Sequence, residues 1–233
     1  MSPLHWEIAA AIAFVGTHFL LSHPLRGAIT RATGEPAFLG LYSLVAAVTF
    51  VWLALAFRAV PAEAPLWAVG DGLWVTATAL TFFASIMFVG SLLGNPALPN
   101  PTGRVAPASE PRGVFSVTRH PMMWGFALWG VSHILVMPTP ANIVLAGTVV
   151  FLALVGAGLQ DRKKRQLQPG TWPAWEAKTS YWPLGAILAG RVKFTPAGVA
   201  PAIGGIALWL VATWAHNPLA GMPAGIWRWI ATA

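Results

Sequence analysis

Six long apolar segments constrain this chain more than any other feature of its sequence. Each is close to the roughly 20 residues that an α-helix needs to cross a bilayer. Only 9% of the residues are charged, whereas a soluble domain has about 25%. We therefore predict an all-α fold, a polytopic transmembrane bundle that forms one domain over residues 1–233. The predicted spans are Leu4–Pro24, Ala37–Val60, Leu66–Leu93, Pro121–Met137, Asn142–Leu159 and Pro196–His216.

Lysine and arginine are unevenly distributed between the loops. Twelve of the 14 follow the first, third and fifth spans, and only Arg58 and Arg228 lie on the other side. By the positive-inside rule, both termini face away from the cytoplasm of a bacterial-type inner membrane. This sorting accounts for the formal charge of +7, so we expect membrane lipids and no nucleic acid as partners. No basic residue precedes the first span, so we expect it to stay as a helix rather than a cleaved signal peptide.

Three stretches between or after the spans have a distinct composition. Residues 95–111 contain five prolines, which predicts an extended linker. Gln160–Lys193 begins with the charge run Asp161–Arg165 and then contains several aromatic residues. This composition predicts an amphipathic cytoplasmic loop, at about residues 160–195, that lies on anionic headgroups. Met222–Ala233 has the Trp-Arg-Trp composition of an interfacial segment.

Histidines are the main candidates for chemistry. The chain has no cysteine, which excludes disulfides and thiolate metal sites. It also has no phosphate-binding loop, nucleophile elbow or zinc motif. Four of the six histidines lie near predicted membrane surfaces, but His18 and His133 lie among apolar residues. An ionisable side chain within a span is a functional-site hypothesis by default.

The residues alone leave two interpretations of His18 and His133 open. Two imidazoles on facing helices can hold a haem iron, or each can hydrogen-bond a Ser or Thr of a neighbouring helix. Gly130, Trp129 and Phe126 share roughly the helical face of His133, and the absent side chain of Gly130 would let a flat porphyrin approach. Counted from the cytoplasmic ends, His18 lies shallow and His133 deep, so helix offsets must close that gap.

Four ordered blocks, spread over nearly the whole chain, carry a family resemblance. They are Thr17-His18 with Pro24-Leu25-Arg26 and Gly34-Glu35; Val117–Pro121 continuing through Gly125 and Trp129 to Ser132-His133; Lys178-Thr179-Ser180 with Pro183 and Gly190-Arg191; and Ala215-His216 with Pro218-Leu219 and Gly221. Together they resemble the NnrU family, which includes the plant-type 15-cis-zeta-carotene isomerases. The founding branch of that family is associated with nitrite and nitric oxide metabolism.

This resemblance implies a cofactor and two ligands. The isomerase branch consists of membrane enzymes with haem b, whose two histidine ligands match His18 and His133. The same two residues are then the expected metal ligands and catalytic residues, with Arg119 or Arg26 pairing with a propionate. The implied function is cis–trans isomerisation of a lipophilic polyene, or a redox or sensing role linked to nitric oxide. The isomerases also have a cysteine three residues before the second ligand, but Gly130 stands there in this chain.

Two other classes of function stay open. The sequence Arg119-His120-Pro121 also resembles membrane methyltransferases, in which it helps to bind S-adenosylmethionine and a later Glu-Glu pair completes the site. Only Asp161 is acidic in the corresponding region here. The alternatives are therefore a methyltransferase using Arg119, His120 and Asp161, or a non-enzymatic assembly factor for a respiratory complex that docks through Gln160–Lys193.

Overall fold

The protein is helical throughout the part of the chain that the structure describes. This computed structural model describes residues 2–98 and 110–230. Helices account for 72% of it, and these residues contain no strand. The prediction of an all-α membrane bundle is confirmed.

The helices, in chain order, are α1 (Pro3–Ser22), α2 (Arg26–Thr33), α3 (Glu35–Ala59), α4 (Asp71–Gly90), α5 (Val114–Val117), α6 (Pro121–Val136), α7 (Pro140–Leu167), α8 (Trp172–Lys178), α9 (Gly185–Leu188), α10 (Val199–Ala220) and α11 (Trp227–Ile230). Each of the six predicted spans corresponds to one helix. Five of them, α1, α3, α4, α7 and α10, are long and apolar enough to cross a membrane. The sixth, α6, has 16 residues and a length of about 24 Å.

The third span begins later than the sequence predicts. The apolar pattern starts it at Leu66, but α4 begins at Asp71. The backbone N–H of Leu66 donates to the carbonyl of Pro138, at 2.8 Å, and the indole of Trp67 donates to the carbonyl of Leu135, at 3.2 Å. These hydrogen bonds hold the segment before α4 against the turn between α6 and α7. The segment therefore packs on that turn and does not continue the helix.

The ends of the helices follow local chemistry. The Thr139 side chain caps α7 by accepting from the N–H of Asn142, and Pro140 occupies the first helical position. Pro121 likewise begins α6. At the other end of the chain, α10 stops at Gly221, whose φ of 66° is left-handed. These signals are readable in the sequence and place the span ends to within a few residues.

The spans pack in a fixed lateral order. Helix α3 packs on α1, α1 on α7, α7 on α6, α6 on α4 and α4 on α10. Large apolar side chains such as Ile12, Leu55 and Val211, each more than 60% exposed, point outward. Apolar surface on this scale, on helices of spanning length, faces lipid. The chain is thus a multi-pass membrane protein.

Part of the predicted amphipathic loop is instead a packed element. Its charge run continues α7 as far as Leu167. Trp172 and Trp175, expected to lie on headgroups, are 1% and 3% exposed and pack with Phe115 and Val114. Trp182 is exposed. The loop prediction is therefore wrong for the two tryptophans of α8, because apolar partners from before α6 cover them.

Two other predicted stretches are only partly described. Most of the proline-rich linker, including Arg104, lies outside the described residues. The C-terminal segment folds back on the bundle: the indole of Trp227 donates to the carbonyl of Leu210, and the guanidinium of Arg228 stacks on Trp74 at 4.4 Å. Residues 231–233 lie outside the described part.

The charge-based topology stays a prediction that the absence of cysteine makes easy to test. We expect an Ala62→Cys variant to react with an impermeant maleimide added outside intact cells, because residue 62 follows the second span. Ala189→Cys is the matched variant, since both alanines are exposed. It should react only after the membrane is opened. The reverse pattern of labelling would invert the topology.

Candidate functional site

His18 packs against α3, and one of its two ring nitrogens is already hydrogen-bonded. Its Nδ1 lies 2.6 Å from the carbonyl oxygen of Phe14, one turn earlier in α1. Its ring packs edge-on against Phe14 and Tyr42. Because a carbonyl oxygen only accepts hydrogen bonds, Nδ1 must carry the proton. In the neutral imidazole the lone pair is then on Nε2, which is the atom available to a ligand or metal.

His133 has the same arrangement in α6. Its Nδ1 lies 2.8 Å from the carbonyl oxygen of Trp129, and the centroids of the two rings lie 4.2 Å apart. A second histidine, His216 of α10, lies close by, with ring centroids 5.9 Å apart. The Nδ1 of His216 lies 2.8 Å from the carbonyl oxygen of Ala212. All three rings are oriented as histidine ligands of metals are, with the second nitrogen donating to a carbonyl.

The helices that carry His18 and His133 are separated by one helix. Both α1 and α6 pack on α7. Helices in direct contact are about 8–10 Å apart, so α1 and α6 are at most about 16–20 Å apart. Side chains reach about 5–6 Å from a helix axis. The lateral space left between the two imidazoles is then at most roughly 10 Å, and a metal bound by two nitrogens at about 2 Å each needs about 4 Å.

The contacts that α6 and α1 make along α7 show how far apart in depth these two helices meet it. Gly130 of α6 lies against Ala146 and Val150. Phe19 of α1 lies beside Gly156, about two to three turns further along α7. The two contacts are about six to ten residues apart, which is roughly 9–15 Å at 1.5 Å per residue.

The directions of the two side chains reduce this difference further. Side chains on a helix lean towards its N-terminus. The ring of His18 leans towards Phe14 and the ring of His133 towards Trp129. Because α1 and α6 run in opposite directions, the two rings lean towards each other's depth. The lean of the two rings thus reduces, but does not remove, the difference in depth between His18 and His133.

The contacts of neighbouring residues indicate which faces of α6 and α1 carry His133 and His18. His133 lies between the faces of α6 that contact α7, through Gly130, and α4, through Gly125. His18 lies between the face of α1 that contacts α7 and the face whose Phe14 ring meets Phe50 of α3. From these contacts and the 100° rotation per residue of a right-handed helix, we infer that α4, α6, α7 and α1 form a row. Helices α10 and α3 flank the two ends of that row on one side.

This arrangement makes a trough, with α6 and α7 as its floor and with α1–α3 and α4–α10 as its two walls. His18 and His133 face into it from the α1 wall and the floor. Trp129 lies beside His133 and Tyr42 beside His18. Phe126 is 40% exposed and its ring contacts Phe88 of α4. Within the described residues α3 and α10 do not pack closely on one another, so the trough opens towards lipid. The structure places Trp129 next to His133, whereas Phe126 contacts Phe88.

Gly130 is a correction to the predicted site. The sequence suggests that its missing side chain makes room for a porphyrin. A Cβ atom there would lie 2.6 Å from Cγ2 of Val150 and 2.9 Å from the carbonyl oxygen of Ala146. Gly130 therefore faces α7, and its lack of a side chain serves the close packing of the two helices.

The two arginines expected to bind a propionate already have partners. Arg26 pairs with Glu35, with 2.5 Å between Nη2 and Oε1. Arg119 pairs with two carboxylates of a separate network. Lys163 of α7, which sequence analysis did not single out, lies within electrostatic reach of Arg26 and Glu35. The basic group near the His18 end of the trough is thus Arg26 with Lys163, and Arg119 belongs to a different site.

Arg119, His120 and Asp161 meet in that buried network. Nε and Nη2 of Arg119 donate to Oδ2 of Asp161 at 2.9 and 2.6 Å, and Nε2 of His120 donates to Oδ1 at 2.8 Å. The three side chains are 11%, 1% and 5% exposed. Glu176 of α8 adds a second carboxylate, 3.5 Å from Arg119. The network joins the start of α6 to α7 and α8.

Tyr181 and a small cleft border this network. The Tyr181 hydroxyl donates to the carbonyl of Leu154 at 2.7 Å, and burial, with the charge of Asp161 adding to it, raises the pKa of Tyr181. On the other side, Nδ1 of His120 is buried without a hydrogen-bond partner among the described residues. His120 also lines a cleft of about 20 Å³, together with Gln160. That volume holds one water molecule.

Metal binding by protein side chains alone finds no support in this geometry. Among residues 2–98 and 110–230, no group of three or more His, Cys, Asp or Glu side chains is arranged to hold a metal ion. A porphyrin supplies four equatorial nitrogens itself, so the protein needs to provide only axial imidazoles. His18 and His133 are imidazoles whose Nε2 atoms could serve as such ligands, each from its own helix.

A comparison with protein families identifies the chain. The family model described as NnrU protein matches residues 8–224. The chain belongs to the NnrU family. No curated protein and no solved structure matches it. The match covers most of the first span and all of the other five. The likeness to the zeta-carotene isomerases within the NnrU family stays a prediction.

Sequence reasoning missed two of the groups in the trough. Counting from the span ends assigns His216 to the outer membrane surface, and the charge pattern makes Lys163 one charge of a loop. Their signals are present, since His216 lies within a span and Lys163 continues α7 without a helix breaker. The sequence does not show how each helix is rotated about its axis. That rotation decides whether such a residue contacts lipid, water or the trough.

Proposed function

We propose that this NnrU protein binds one haem b in the trough, with His18 and His133 as axial ligands. The observation that carries the proposal is the shared state of the two imidazoles. Each donates Nδ1–H to the carbonyl one turn earlier, which leaves Nε2 as the lone-pair donor facing the trough. Helices in direct contact would be too close for an iron between them, and α1 and α6 are separated by α7.

The surroundings of the trough support the same cofactor. Aromatic rings beside the histidines provide apolar walls for a macrocycle, and Arg26 with Lys163 provides positive charge at one end for propionates. The carbonyl bonds fix the orientation of both rings, so little ordering is needed when the iron binds. The opening between α3 and α10 gives access from the bilayer.

The function that fits this site is haem chemistry on a lipid-soluble ligand. A bound haem would supply a one-electron redox centre. The protein would contribute the axial imidazoles, the apolar walls that exclude water, and the lateral opening. A lipophilic polyene and nitric oxide both partition into the bilayer, so isomerisation and a nitric-oxide-linked redox or sensing role are the two reactions within the proposal.

The absorption spectrum of the purified protein tests the proposal. We expect a Soret band, one haem per chain by pyridine haemochromogen assay, and low-spin ferric and ferrous spectra. His18→Ala should lose the low-spin spectrum, because no other histidine is found on the α1 wall at that depth. His5→Ala is the matched control, since His5 lies on the same helix but is exposed at its start, and it should keep the spectrum. Wild-type protein without a Soret band after haem supplementation would contradict the proposal.

A further inference from the structure

We propose that Glu7 is a proton-binding site, which holds a neutral carboxyl group inside the bundle at the end where α1 begins. The proposed haem function does not involve this residue. The side chain of Glu7 is 0% exposed. Neither of its two carboxyl oxygens has a hydrogen-bond partner among the residues that the structure describes. Buried polar groups without a partner are rare in folded proteins, so this one needs an explanation.

Glu7 lies on the face of α1 that packs against the other helices. The buried residues of α1 follow the spacing of a single helix face, and they are Glu7, Ala10, Ala11 and Phe14. The last three form one apolar cluster with Leu53 and Ala56 of α3, and partly buried side chains of α7 pack against that cluster. Glu7 therefore lies at one end of an apolar seam between three helices, where bulk water does not reach its carboxyl group.

A second carboxyl group lies within electrostatic reach of Glu7. It belongs to Glu63, in the segment that follows α3. Oε2 of Glu63 accepts a hydrogen bond from the backbone N–H of Ala141 at 2.9 Å, in the first turn of α7. The N-terminus of a helix stabilises a negative charge, which favours the ionised form of Glu63. That charge repels a second negative charge on Glu7.

The other ionisable groups around this end of α1 do not compensate a charge on Glu7. On α1 itself, Nδ1 of His5 lies 2.6 Å from the hydroxyl oxygen of Ser2. Arg58, in the last turn of α3, is exposed. Helix α7 has no ionisable side chain before Asp161. Within the described part of the chain, no cation thus forms an ion pair with Glu7.

These surroundings favour the protonated form of Glu7. Burial disfavours the charged form of a carboxyl group, and a like charge nearby disfavours it further. A buried carboxylate that lacks a hydrogen bond therefore takes up a proton. The proton comes from water and forms the O–H bond of the neutral acid, and no other reactant is needed. Once ionised, the carboxylate must regain water, which requires α1 to separate from α3 and α7 at this end.

The stability of the protein then depends on pH with a defined sign. In the unfolded chain, Glu7 ionises in the ordinary carboxyl range, at about pH 4. The folded protein keeps this proton to a higher pH, so above that range it binds more protons than the unfolded chain does. The free energy of unfolding therefore falls as the pH rises, until Glu7 is ionised in the folded protein as well.

Unfolding midpoints measured against pH in detergent test the inference. Glu7→Gln is neutral at every pH and has nearly the same size. Relative to this variant, we expect the wild-type midpoint to fall by about 3–5 °C per pH unit over about pH 5–7. His5→Gln is the matched control, because it removes an exposed ionisable group of the same helix, and it should keep the wild-type dependence on pH. The infrared spectrum gives a second measurement. At about pH 6, above the ordinary carboxyl range, wild-type protein should show the C=O stretching band of a protonated carboxylic acid, which Glu7→Gln lacks.

The opposite results would show that Glu7 is ionised in the folded protein. Equal pH dependence of wild-type protein and Glu7→Gln would overturn the inference, and so would an infrared spectrum of wild-type protein without that band. If Glu7→Gln does not fold, Glu7→Leu replaces it, because a leucine fits an apolar seam and is also neutral. All proteins are compared at the same haem content, so the result is independent of the haem proposal.

Discussion

Replacing Asp161 by asparagine is expected to lower the thermal unfolding midpoint of the protein in detergent by about 6–20 °C. Asp161 is the carboxylate between Arg119 and His120, and all three side chains are buried. Removing one partner of a buried ion pair costs about 3–5 kcal/mol, since the other charge is left without compensation. For a chain of this size each kcal/mol corresponds to about 2–4 °C. Circular dichroism at 222 nm measures the midpoint.

An exposed ion pair provides the matched control for this prediction. Lys178 and Glu110 also form a salt bridge, but their side chains are 40% and 67% exposed. Exposed pairs contribute at most about 1 kcal/mol, so Lys178→Ala should shift the midpoint by no more than a few degrees. A second variant that replaces both Arg119 and Asp161 by leucine should recover part of the loss, because neither charge of that buried pair then remains.

The Asp161 experiment also bears on the methyltransferase alternative. If Arg119, His120 and Asp161 served to bind S-adenosylmethionine, the carboxylate of Asp161 would be free to bind that ligand. The Asp161→Asn variant would then unfold at the wild-type temperature but would not bind S-adenosylmethionine. In the structure both carboxylate oxygens of Asp161 are already occupied. The adjacent cleft, within the described residues, holds about one water molecule. An unchanged midpoint for Asp161→Asn would contradict the structural role of the network.

The spans were predictable because each follows from composition along a single helix. Apolar runs, proline at the start of α6 and α7, and glycine after α10 place the helices of the bundle closely. The error at the start of α4 has a tertiary cause. Leu66 and Trp67 are apolar enough for a helix but are bound to the turn after α6, and no local pattern reveals that partner.

The candidate site was predictable only in part, because its composition depends on how each helix is rotated about its axis. The sequence identifies His18 and His133 as the imidazoles that lie among apolar residues, and the structure has both half-buried. Depth counting from span ends ignores the lean of both side chains towards the N-termini of their helices. The same counting assigns His216 to the surface, whereas α10 turns that ring towards His133. Composition also assigns the Trp172 and Trp175 rings to lipid headgroups, although residues before α6 bury them.

Gly130 shows most directly how the orientation of a helix changes the interpretation of a residue. The direction in which Gly130→Ala shifts the unfolding midpoint distinguishes the two interpretations. We expect Gly130→Ala to lower the unfolding midpoint of the haem-free protein by about 2–12 °C. The new Cβ would lie 2.9 Å from the carbonyl oxygen of Ala146, which is backbone and cannot move without separating α6 from α7. Overpacking of this kind costs about 1–3 kcal/mol.

Gly147 is the matched control, because it lies in α7 next to Ala146 and a Cβ there would meet nothing within 4 Å. Alanine is favoured over glycine inside a helix by about 1 kcal/mol, so Gly147→Ala should raise the midpoint slightly. If Gly130 instead made room for a porphyrin, Gly130→Ala would behave like Gly147→Ala in the haem-free protein and would lose only haem. Opposite signs for the two substitutions, measured without haem, therefore assign Gly130 to the contact between α6 and α7.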